Sequence, residues 1–275
     1  MFTLNCKGRL LVIDKPMVMG IINITPDSFY DGSRQTDESI LSMTTKMVND
    51  GADIIDIGGQ STRPGSERIS IKEELKRVLP AIEIILKGFP DTIISVDTYQ
   101  SAVAEESVNA GAVIINDISA GNMDSDMIFT VAKLGVPYIC THMKGTPENM
   151  QDNPSYENIT KDVLDFFIKK TGECKQAGIN DIIIDPGFGF GKTITHNFKL
   201  LKELSVFQML DKPIMAGLSR KSTIYKTLGV SADDALNGTT ALHMLALHNG
   251  ANILRVHDVK EAKEVIKLFL RYIAV

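Results

Sequence analysis

The sequence of 275 residues contains no tryptophan and only three cysteines, and only 6% of its residues are aromatic. Cys6, Cys140 and Cys174 are too few, too scattered and odd in number for a disulfide framework, which favours a reducing compartment such as the cytoplasm. The apolar runs are far shorter than the roughly 20 residues of a membrane-spanning helix. The N-terminal segment lacks the positively charged and apolar regions of a secretory signal.

A basic excess is also absent, because 29 Lys and Arg face 34 Asp and Glu, giving a formal net charge of -5. We therefore expect neither nucleic acid nor membrane as a partner. The composition is 44% hydrophobic, which is ample for a core. The length suits two small domains or one (β/α)₈ barrel of roughly 250 residues.

One pattern repeats along the chain: a short apolar run, polar residues, an amphipathic stretch and then another apolar run. The runs are near-continuous rather than alternating, which is typical of parallel strands buried on both faces. We predict eight such strands, at 17–22, 53–57, 93–96, 113–115, 137–140, 181–184, 213–216 and 252–256.

The amphipathic stretches between these runs predict helices at 37–49, 71–87, 100–109, 125–133, 156–177, 195–209, 233–249 and 259–272. Glycine closes six of them, where a left-handed residue is expected: Gly51, Gly88, Gly111, Gly135, Gly178 and Gly250. Gly172, inside the fifth helix, weakens that helix.

Strict alternation of strand and helix, without a linker or a composition shift, predicts a single α/β domain over residues 1–275. Eight units favour a closed TIM barrel over an open sheet. Residues 1–16 do not fit the unit, and we predict that they form a β-hairpin covering the N-terminal mouth of the barrel.

In such a barrel the functional residues lie at the C-terminal ends of the strands and in the loops that follow. Cationic or potentially cationic residues at these positions suit a phosphate-bearing substrate: Arg63, Arg220, Lys221, Arg255 and His257. Asp97, Asn116 and Asp185 could hydrogen-bond the edge of a flat nitrogen heterocycle. The sequence therefore predicts an anionic small-molecule substrate bound at this mouth.

The glycine-rich stretch 186–193 begins as Pro186-Gly-Phe-Gly and ends in Lys192-Thr193. Its glycines have the wrong spacing for a P-loop or a dinucleotide fingerprint, so we interpret it as a loop that lets backbone approach a ligand.

The sequence contains no HxxxH motif, CxxC motif or carboxylate cluster with the spacing of metal ligands. Binding of Mg²⁺ together with a substrate diphosphate stays open as an alternative. His142 ends a strand, but we do not expect it to be catalytic.

Seven segments in order carry a more specific resemblance. They are MGIINITPDSFYDGS (19–33), DIIDIGGQSTRPGS (53–66), SVDTYQ (95–100), IINDISAG (114–121), IDPGFGFGK (184–192), GLSRKS (217–222) and ILRVHDV (253–259). Together they resemble the bacterial dihydropteroate synthases of the pterin-binding family over almost the whole chain. Gln60 stands where many members have Glu, and Tyr225 where a glycine is frequent.

The resemblance implies a transferase that condenses 6-hydroxymethyl-7,8-dihydropterin diphosphate with 4-aminobenzoate in folate biosynthesis, in a cytoplasmic homodimer that sulfonamides target. It places Asp97, Asn116, Asp185 and Lys221 at the pterin, and Asn23, Arg255 and His257 at the diphosphate, with Asn23 also at Mg²⁺. Around the aminobenzoate it places Thr62, Arg63, Pro64, Phe190 and Ser222. Among these, it implies catalytic roles for Asn23, Asp97, Asp185, Lys221, Arg255 and His257.

Other functions stay open at this point. A methyltetrahydrofolate methyltransferase domain shares the Asp/Asn/Asp pterin residues but needs no diphosphate site, so the SRKS and RVHD segments favour the synthase. An inactive pterin-binding barrel and a barrel acting on another phosphorylated metabolite are the remaining alternatives.

Overall fold

A computed structural model of the chain describes residues 1–24, 33–61 and 65–275, with the backbone alone for 33–36. Its strands are β1 (Phe2–Cys6), β2 (Arg9–Ile13), β3 (Met17–Asn23), β4 (Ile54–Gly58), β5 (Ile94–Asp97), β6 (Ile114–Asp117), β7 (Tyr138–Thr141), β8 (Ile182–Asp185), β9 (Met215–Ala216) and β10 (Ile253–Val256). Its helices are α1 (Ser33–Asn49), α2 (Ile71–Gly88), α3 (Ser101–Asn109), α4 (Met127–Leu134), α5 (Ile159–Ala177), α6 (Ile194–Lys202), α7 (Ser222–Leu228), α8 (Leu236–His248) and α9 (Val259–Ile273), with a 3₁₀ helix at Leu204–Leu210.

The eight strands β3 to β10 form one parallel sheet in the order β8-β7-β6-β5-β4-β3-β10-β9. A parallel bridge between Ile184 and Ile214 joins the two edges, so the sheet curls into a barrel. This arrangement confirms the predicted (β/α)₈ TIM barrel. Among the described residues, no helix combines the length and the apolar character that crossing a bilayer requires.

Side chains alternate between the two faces of each barrel strand. Outward-facing residues such as Ile55 and Val96 pack against the helices in the larger core. The inward-facing residues nearest the strand starts form a second apolar layer: Met17, Met19, Ile54, Ile93, Ile114, Ile139, Ile183, Met215 and Ile253. This lower layer is completed by the N-terminal segment rather than by a helix.

The antiparallel pair β1–β2 supplies Leu4, Cys6, Leu11 and Ile13 to that layer. The backbone N–H of Asn5 also donates to Oδ2 of Asp181, just before β8, at 2.8 Å. The prediction of a hairpin covering the N-terminal mouth is therefore confirmed. All three cysteines are buried free thiols, and the Sγ atoms of Cys140 and Cys174 lie 3.9 Å apart.

Capping side chains explain where several helices begin. The side chain of Asn158 accepts from the backbone N–H of Lys161, so α5 begins at Ile159 rather than at 156. Thr193 forms a capping box with His196, so α6 begins at Ile194. The predicted helix 195–209 is wrong in its second half. Glu203, with φ -103° and ψ 15°, separates α6 from the 3₁₀ helix.

One of the six helix-closing glycines is also assigned wrongly. Gly88 is the last residue of α2, and Phe89, with φ -139°, follows it. The other five have φ between 63° and 116°. Helix α7, immediately after the GLSRK segment, is absent from the sequence-based assignment, because its seven residues are too few to establish a helical period.

Candidate active site

A polar layer lies inside the barrel, directly above the lower apolar layer. The residue two positions after an inward apolar residue also faces inward, so Asp56 follows Ile54 on β4, and Asn116 follows Ile114 on β6. The polar layer is completed by Asn23, Ser95, Asp97, Thr141, Asp185 and Arg255. Strand periodicity alone thus brings most of the predicted pterin and diphosphate residues into the C-terminal mouth.

The observed strands β3 to β8 extend one or two residues further than predicted, so Asn23, Asp97 and Asp185 end strands rather than begin loops.

Arg255 joins three strands through two carboxylates. Its Nε donates to Oδ2 of Asp56 and its Nη2 donates to Oδ2 of Asp97, each at 2.6 Å. Nδ2 of Asn116 donates to the same oxygen of Asp56 at 3.1 Å. Although burial opposes it, the charges of Asp56 and Asp97 raise the pKa of Arg255 above its usual range. The guanidinium therefore stays charged and compensates two buried acids.

Asp97 is the acid of this group that titrates near neutrality. Burial raises the pKa of Asp97 to about 7, Arg255 opposes this shift and Asp56 adds to it. An ionised Asp97 can accept a hydrogen bond from a ligand N–H, whereas a protonated one loses part of that capacity.

Asp185 and Lys221 provide a second set of opposite charges, at the end of β8 and just before α7. Burial raises the pKa of Asp185, an effect that Lys221 opposes. Burial lowers the pKa of Lys221 to about 8, with Asp185 acting in the other direction. Oδ1 of Asp185 accepts from the backbone N–H of Gly187 at 2.8 Å. Nζ of Lys221 donates to the carbonyl of Phe188 and lies 4.7 Å from the ring centre of Phe190.

Within the described residues, five buried oxygen atoms of the polar layer have no hydrogen-bond partner. They are Oδ1 of Asp56, Oγ of Ser95, Oδ1 of Asp97, Oδ1 of Asn116 and Oγ1 of Thr141. Leaving a buried polar atom unpaired costs about 1–3 kcal/mol, so five on the four adjacent strands β4 to β7 indicate a place for a polar ligand. Because carboxylate and amide oxygens accept hydrogen bonds, they suit a ligand whose edge presents N–H groups.

Asn23 and His257 lie on the opposite part of the rim, at the ends of the paired strands β3 and β10. Asn23 is half-buried, and a Cβ added to Gly58 on the next strand would lie 3.3 Å from its Oδ1. His257 is exposed, with its Nδ1 3.0 Å from Oγ of Ser219. No group of three or more His, Cys, Asp or Glu in the described part of the chain could hold a metal ion.

The residues predicted around the aminobenzoate are placed only in part. Phe190 is half-buried in the glycine-rich loop, and Ser222 is the first residue of α7. Thr62, Arg63 and Pro64 lie outside the described residues.

Gln60 lies just before residues 62–64, and its side chain hydrogen-bonds the backbone on both sides of that segment. Its Nε2 donates to the carbonyls of Ser61 (2.8 Å) and Glu67 (2.9 Å), while its Oε1 accepts from the N–H of Ile69 (2.8 Å). Two of these bonds require a side-chain donor, which Gln has and an ionised Glu lacks.

The expectation that Arg220 suits a substrate phosphate is not supported by its contacts. Its Nε and Nη2 donate to the two carboxylate oxygens of Asp258, at 2.8 and 2.9 Å. Its Nη1 donates to the carbonyls of Ala232 (3.1 Å) and Asp233 (2.6 Å). Arg220 therefore joins the segment before α8 to the start of α9, and four of its five N–H donors are occupied by protein acceptors.

Sequence reasoning assigned no role to Asp56, Ser95 or Thr141. A signal existed for Asp56, because an acid inside the apolar strand segment Asp53-Ile-Ile-Asp56-Ile-Gly is rarely buried without a partner. Ser95 and Thr141 carry no such signal, since small hydroxyl residues are common in strands. Only the barrel register places their unpaired oxygens in the same layer as those of Asp56, Asp97 and Asn116.

Comparisons with known proteins agree with the chemistry of this layer. Residues 19–257 match the family described as pterin binding enzyme. The chain is 42% identical over 267 residues to a dihydropteroate synthase of Escherichia coli (strain K12), covering 95% of this chain and 93% of the relative.

Two solved structures have the same fold. A Yersinia pestis dihydropteroate synthase in complex with a sulfonamide drug has a TM-score of 0.93 and 40% identity, with 99% of each chain covered. A Xanthomonas albilineans dihydropteroate synthase with 4-aminobenzoic acid has a TM-score of 0.92 and 39% identity, covering 99% of this chain and 98% of that one.

Proposed function

Because the chain belongs to the pterin-binding enzyme family, and within it to the dihydropteroate synthases, we propose roles in that reaction for residues at the C-terminal mouth of its barrel. The enzyme is a transferase of folate biosynthesis. It condenses 6-hydroxymethyl-7,8-dihydropterin diphosphate with 4-aminobenzoate, giving 7,8-dihydropteroate and diphosphate. This function is favoured over the methyltetrahydrofolate methyltransferase alternative, because the similar proteins are dihydropteroate synthases over nearly their full length.

The pterin ring binds among Asp97, Asn116, Asp185 and Lys221. The observation that carries this assignment is the cluster of unpaired oxygens, two of which belong to Asp97 and Asn116. The ring N–H groups donate to the carboxylates and to the amide oxygen, while Lys221 donates to a ring acceptor. Thr141, which lies opposite Asp185 in the register of β7 and β8, is proposed to complete this edge.

The diphosphate lies towards Arg255, His257 and Asn23, on the neighbouring strands β10 and β3. Mg²⁺ is proposed to accompany the diphosphate at this part of the rim, where Asn23 offers one amide oxygen. Asn23 would hold the ion together with diphosphate oxygens. When bound, Mg²⁺ neutralises part of the charge of the leaving group.

The chemistry needs no protein nucleophile. The bond between the pterin methylene carbon and the diphosphate oxygen breaks with its electron pair on oxygen, and Arg255 and His257 stabilise the departing charge. The positive charge left on the methylene is delocalised into the ring, where the carboxylates of Asp97 and Asp185 stabilise it. The amine of 4-aminobenzoate then attacks this carbon and loses a proton. The barrel thus promotes the reaction electrostatically and by positioning.

The second substrate binds beside the pterin methylene, near Phe190 and Ser222. Phe190 offers an aromatic face, and the Ser222 side chain offers a hydroxyl donor for the carboxylate. Thr62, Arg63 and Pro64 are proposed to complete this pocket by resemblance to the family.

Three further assignments remain proposals. A homodimer would bury apolar residues exposed on the outer helices, such as Leu245 on α8 and Leu268 and Tyr272 on α9. A cytoplasmic location is supported by the three free thiols. The single domain over 1–275 stays a prediction.

The decisive assay mixes the purified protein with Mg²⁺, the pterin diphosphate and 4-aminobenzoate, and follows release of diphosphate together with formation of dihydropteroate. Omitting 4-aminobenzoate controls for simple hydrolysis of the pterin substrate. Both products should form in equal amounts. Absence of dihydropteroate with both substrates intact and the protein folded would overturn the proposal.

A further inference from the structure

The glycine-rich loop of residues 186–192 ends in a lysine that the proposed reaction does not use. The side chain of Lys192 is almost fully enclosed, with 2% of the residue exposed. Its Nζ donates to three carbonyl oxygens, those of His142 (3.1 Å), Gly187 (2.9 Å) and Phe190 (3.0 Å), and lies 2.8 Å from Nδ1 of His142. All four of these partners belong to the protein itself.

The three carbonyl oxygens can only accept, and the three N–H donors of an ammonium match them in number. Burial lowers the pKa of Lys192 well below its usual range, an effect that the charge of Asp185 opposes. Burial and the charge of Lys192 both keep the pKa of His142 well below its usual range, which leaves its imidazole neutral. The amino group of Lys192 is thus enclosed by three backbone carbonyl oxygens and one imidazole nitrogen.

The backbone of the loop fits closely against the segment after β7. Gly187 and Gly191 have φ of 69° and 63°, in the left-handed region. A Cβ on Gly187 would lie 2.0 Å from the carbonyl oxygen of His142, and one on Gly191 would lie 2.3 Å from that of Lys144. The loop backbone therefore lies directly against residues 142–144. In this position the carbonyls of Gly187 and Phe190 point towards Nζ of Lys192.

The opposite side of the same loop faces the substrate site. The N–H of Gly187 donates to Asp185, the carbonyl of Phe188 accepts from Lys221, and the Phe190 ring lies over Nζ of Lys221. The loop therefore orients one carboxylate, one ammonium and one aromatic ring of the site. A shift of the loop would move all three together.

We propose that Lys192 is a positioning residue: its buried amino group fixes the loop of residues 186–192 against residues 142–144, and the loop in turn orients Asp185, Lys221 and Phe190 for the two substrates. Lys192 is not a phosphate ligand, despite its place at the end of a glycine-rich segment, because its amino group already donates to three backbone carbonyls. The proposal rests on the proposed function for the identity of the substrates.

The test uses Lys192→Met, which keeps the length of the side chain and removes its donors. Lys169→Met, on the exposed surface of α5, is the control for loss of one lysine charge. Amide hydrogen exchange of the ligand-free proteins should be at least about tenfold faster across 186–192 and 142–144 in Lys192→Met, and unchanged in Lys169→Met. This readout does not depend on the activity, so it separates the proposal from the proposed function.

Kinetics supply the second readout. KM for both substrates should rise about tenfold in Lys192→Met, while kcat at saturation stays within about threefold of the parent. A variant that merely contained less folded enzyme would lose kcat and keep its KM. Binding of inorganic pyrophosphate with Mg²⁺, measured by calorimetry, should not change.

Parent-like exchange in the loop and parent-like KM values would overturn the proposal, as would loss of pyrophosphate binding with unchanged loop exchange. If Lys192→Met does not fold, His142→Leu decides, since it removes one acceptor and leaves the three carbonyls. It should accelerate exchange across 186–192 and raise KM for 4-aminobenzoate by a smaller factor. Parent-like behaviour of a folded His142→Leu would then contradict the link between the two segments.

Discussion

Oδ2 of Asp56 and Nε of Arg255 lie 2.6 Å apart inside the barrel, although 199 residues separate them along the chain. Strand β10 pairs with β3, and β3 pairs with β4, so the two residues stand two strands apart on the inner face. The same oxygen of Asp56 accepts from Asn116. A carboxylate to which the sequence analysis assigned no role therefore orients two of the proposed substrate-binding residues.

Replacing Asp56 with Asn should damage both stability and binding. The substitution keeps the shape but removes the charge that compensates Arg255, which we expect to cost about 3 kcal/mol of unfolding free energy, as for other broken buried ion pairs. kcat/KM for the pterin diphosphate should fall at least about tenfold, because Arg255 and Asn116 would share a neutral amide oxygen in place of a carboxylate. Urea unfolding and steady-state kinetics measure the two effects.

Asp53→Asn is the matched control at the other end of the same segment. Oδ2 of Asp53 accepts from Nζ of Lys263 at 2.5 Å and from the N–H of Val18 at 2.7 Å, at the N-terminal side of the barrel. Its loss of charge should cost less than about 1 kcal/mol and leave the kinetics unchanged. Equal effects of the two substitutions would contradict the role given to Asp56.

Asp185→Asn and Arg255→Ala should separate pterin binding from loss of the diphosphate. The side-chain amide oxygen that Asp185→Asn introduces can still accept from Gly187, so the variant should stay folded and bind the pterin about tenfold to a hundredfold more weakly. Arg255→Ala should lower kcat by about a hundredfold or more, because the departing charge loses a donor. Calorimetry with a pterin ligand and single-turnover kinetics distinguish the two, and identical profiles would refute the assignment.

Removal of Arg255 should also make stability depend on pH. Asp97 would then be a buried acid without its compensating cation, and protonation would relieve it. We therefore expect Arg255→Ala to be destabilised by about 3–5 kcal/mol at high pH and by less as the pH falls below 7. Urea unfolding at pH 6 and pH 8 tests the sign, and an equal loss at both values would contradict it.

The activity should have a narrow pH optimum set by Asp97 and Lys221. As the pH falls through about 7, Asp97 gains a proton and loses its acceptor capacity; as the pH rises through about 8, Lys221 loses its charge. kcat/KM for the pterin diphosphate, which reports the free enzyme, should peak between these values. A pH profile of Lys221→Arg should lack the basic limb, because guanidinium does not titrate there. Loss of the basic limb in Asp97→Asn instead would reverse the assignment.

His243 should make the protein sensitive to acid. Its side chain is buried in α8, both ring nitrogens lack partners among the described residues, and burial lowers its pKa from 6.5 to about 4. The unfolded chain takes up the proton first, so stability present above pH 6.5 is lost as the pH falls towards 4, by about 3 kcal/mol in all. His243→Leu should flatten this slope. His248→Leu, at an exposed position of the same helix, should retain it, and parallel slopes for all three proteins would disprove the effect.

Two glycines, one within α5 and one at its end, should respond to alanine with opposite signs. Gly172 lies inside the helix, and an added Cβ would meet nothing within 4 Å, so Gly172→Ala should stabilise the protein by about 1 kcal/mol. Gly178 follows the helix with φ 101°, where an L side chain is strained, so Gly178→Ala should destabilise by about 1 kcal/mol. Thermal unfolding of the two variants and the parent provides the comparison. Stabilisation by both would contradict the conformation given to Gly178.

The strands and most helices were accessible from sequence because their signals are local. Apolar runs such as 182–184 and glycines such as Gly178 report the conformation of their own segment. The break at Glu203 and the short helix α7 escaped prediction, since neither changes the local pattern enough to be recognised. The site was accessible in outline, because parallel strands bring their C-terminal ends together whatever the side-chain contacts are.

The sequence by itself determined the barrel, the hairpin that covers its N-terminal mouth and the residues that stand at the opposite mouth. Only the tertiary structure decided which of those side chains pair with one another. Arg220 and Arg255 have the same chemistry and similar places in the pattern, yet one is bound by Asp258 and the other by Asp56 and Asp97. The choice follows from the strand register and from competition among nearby acceptors, which act between residues far apart in sequence. No local pattern records such contacts.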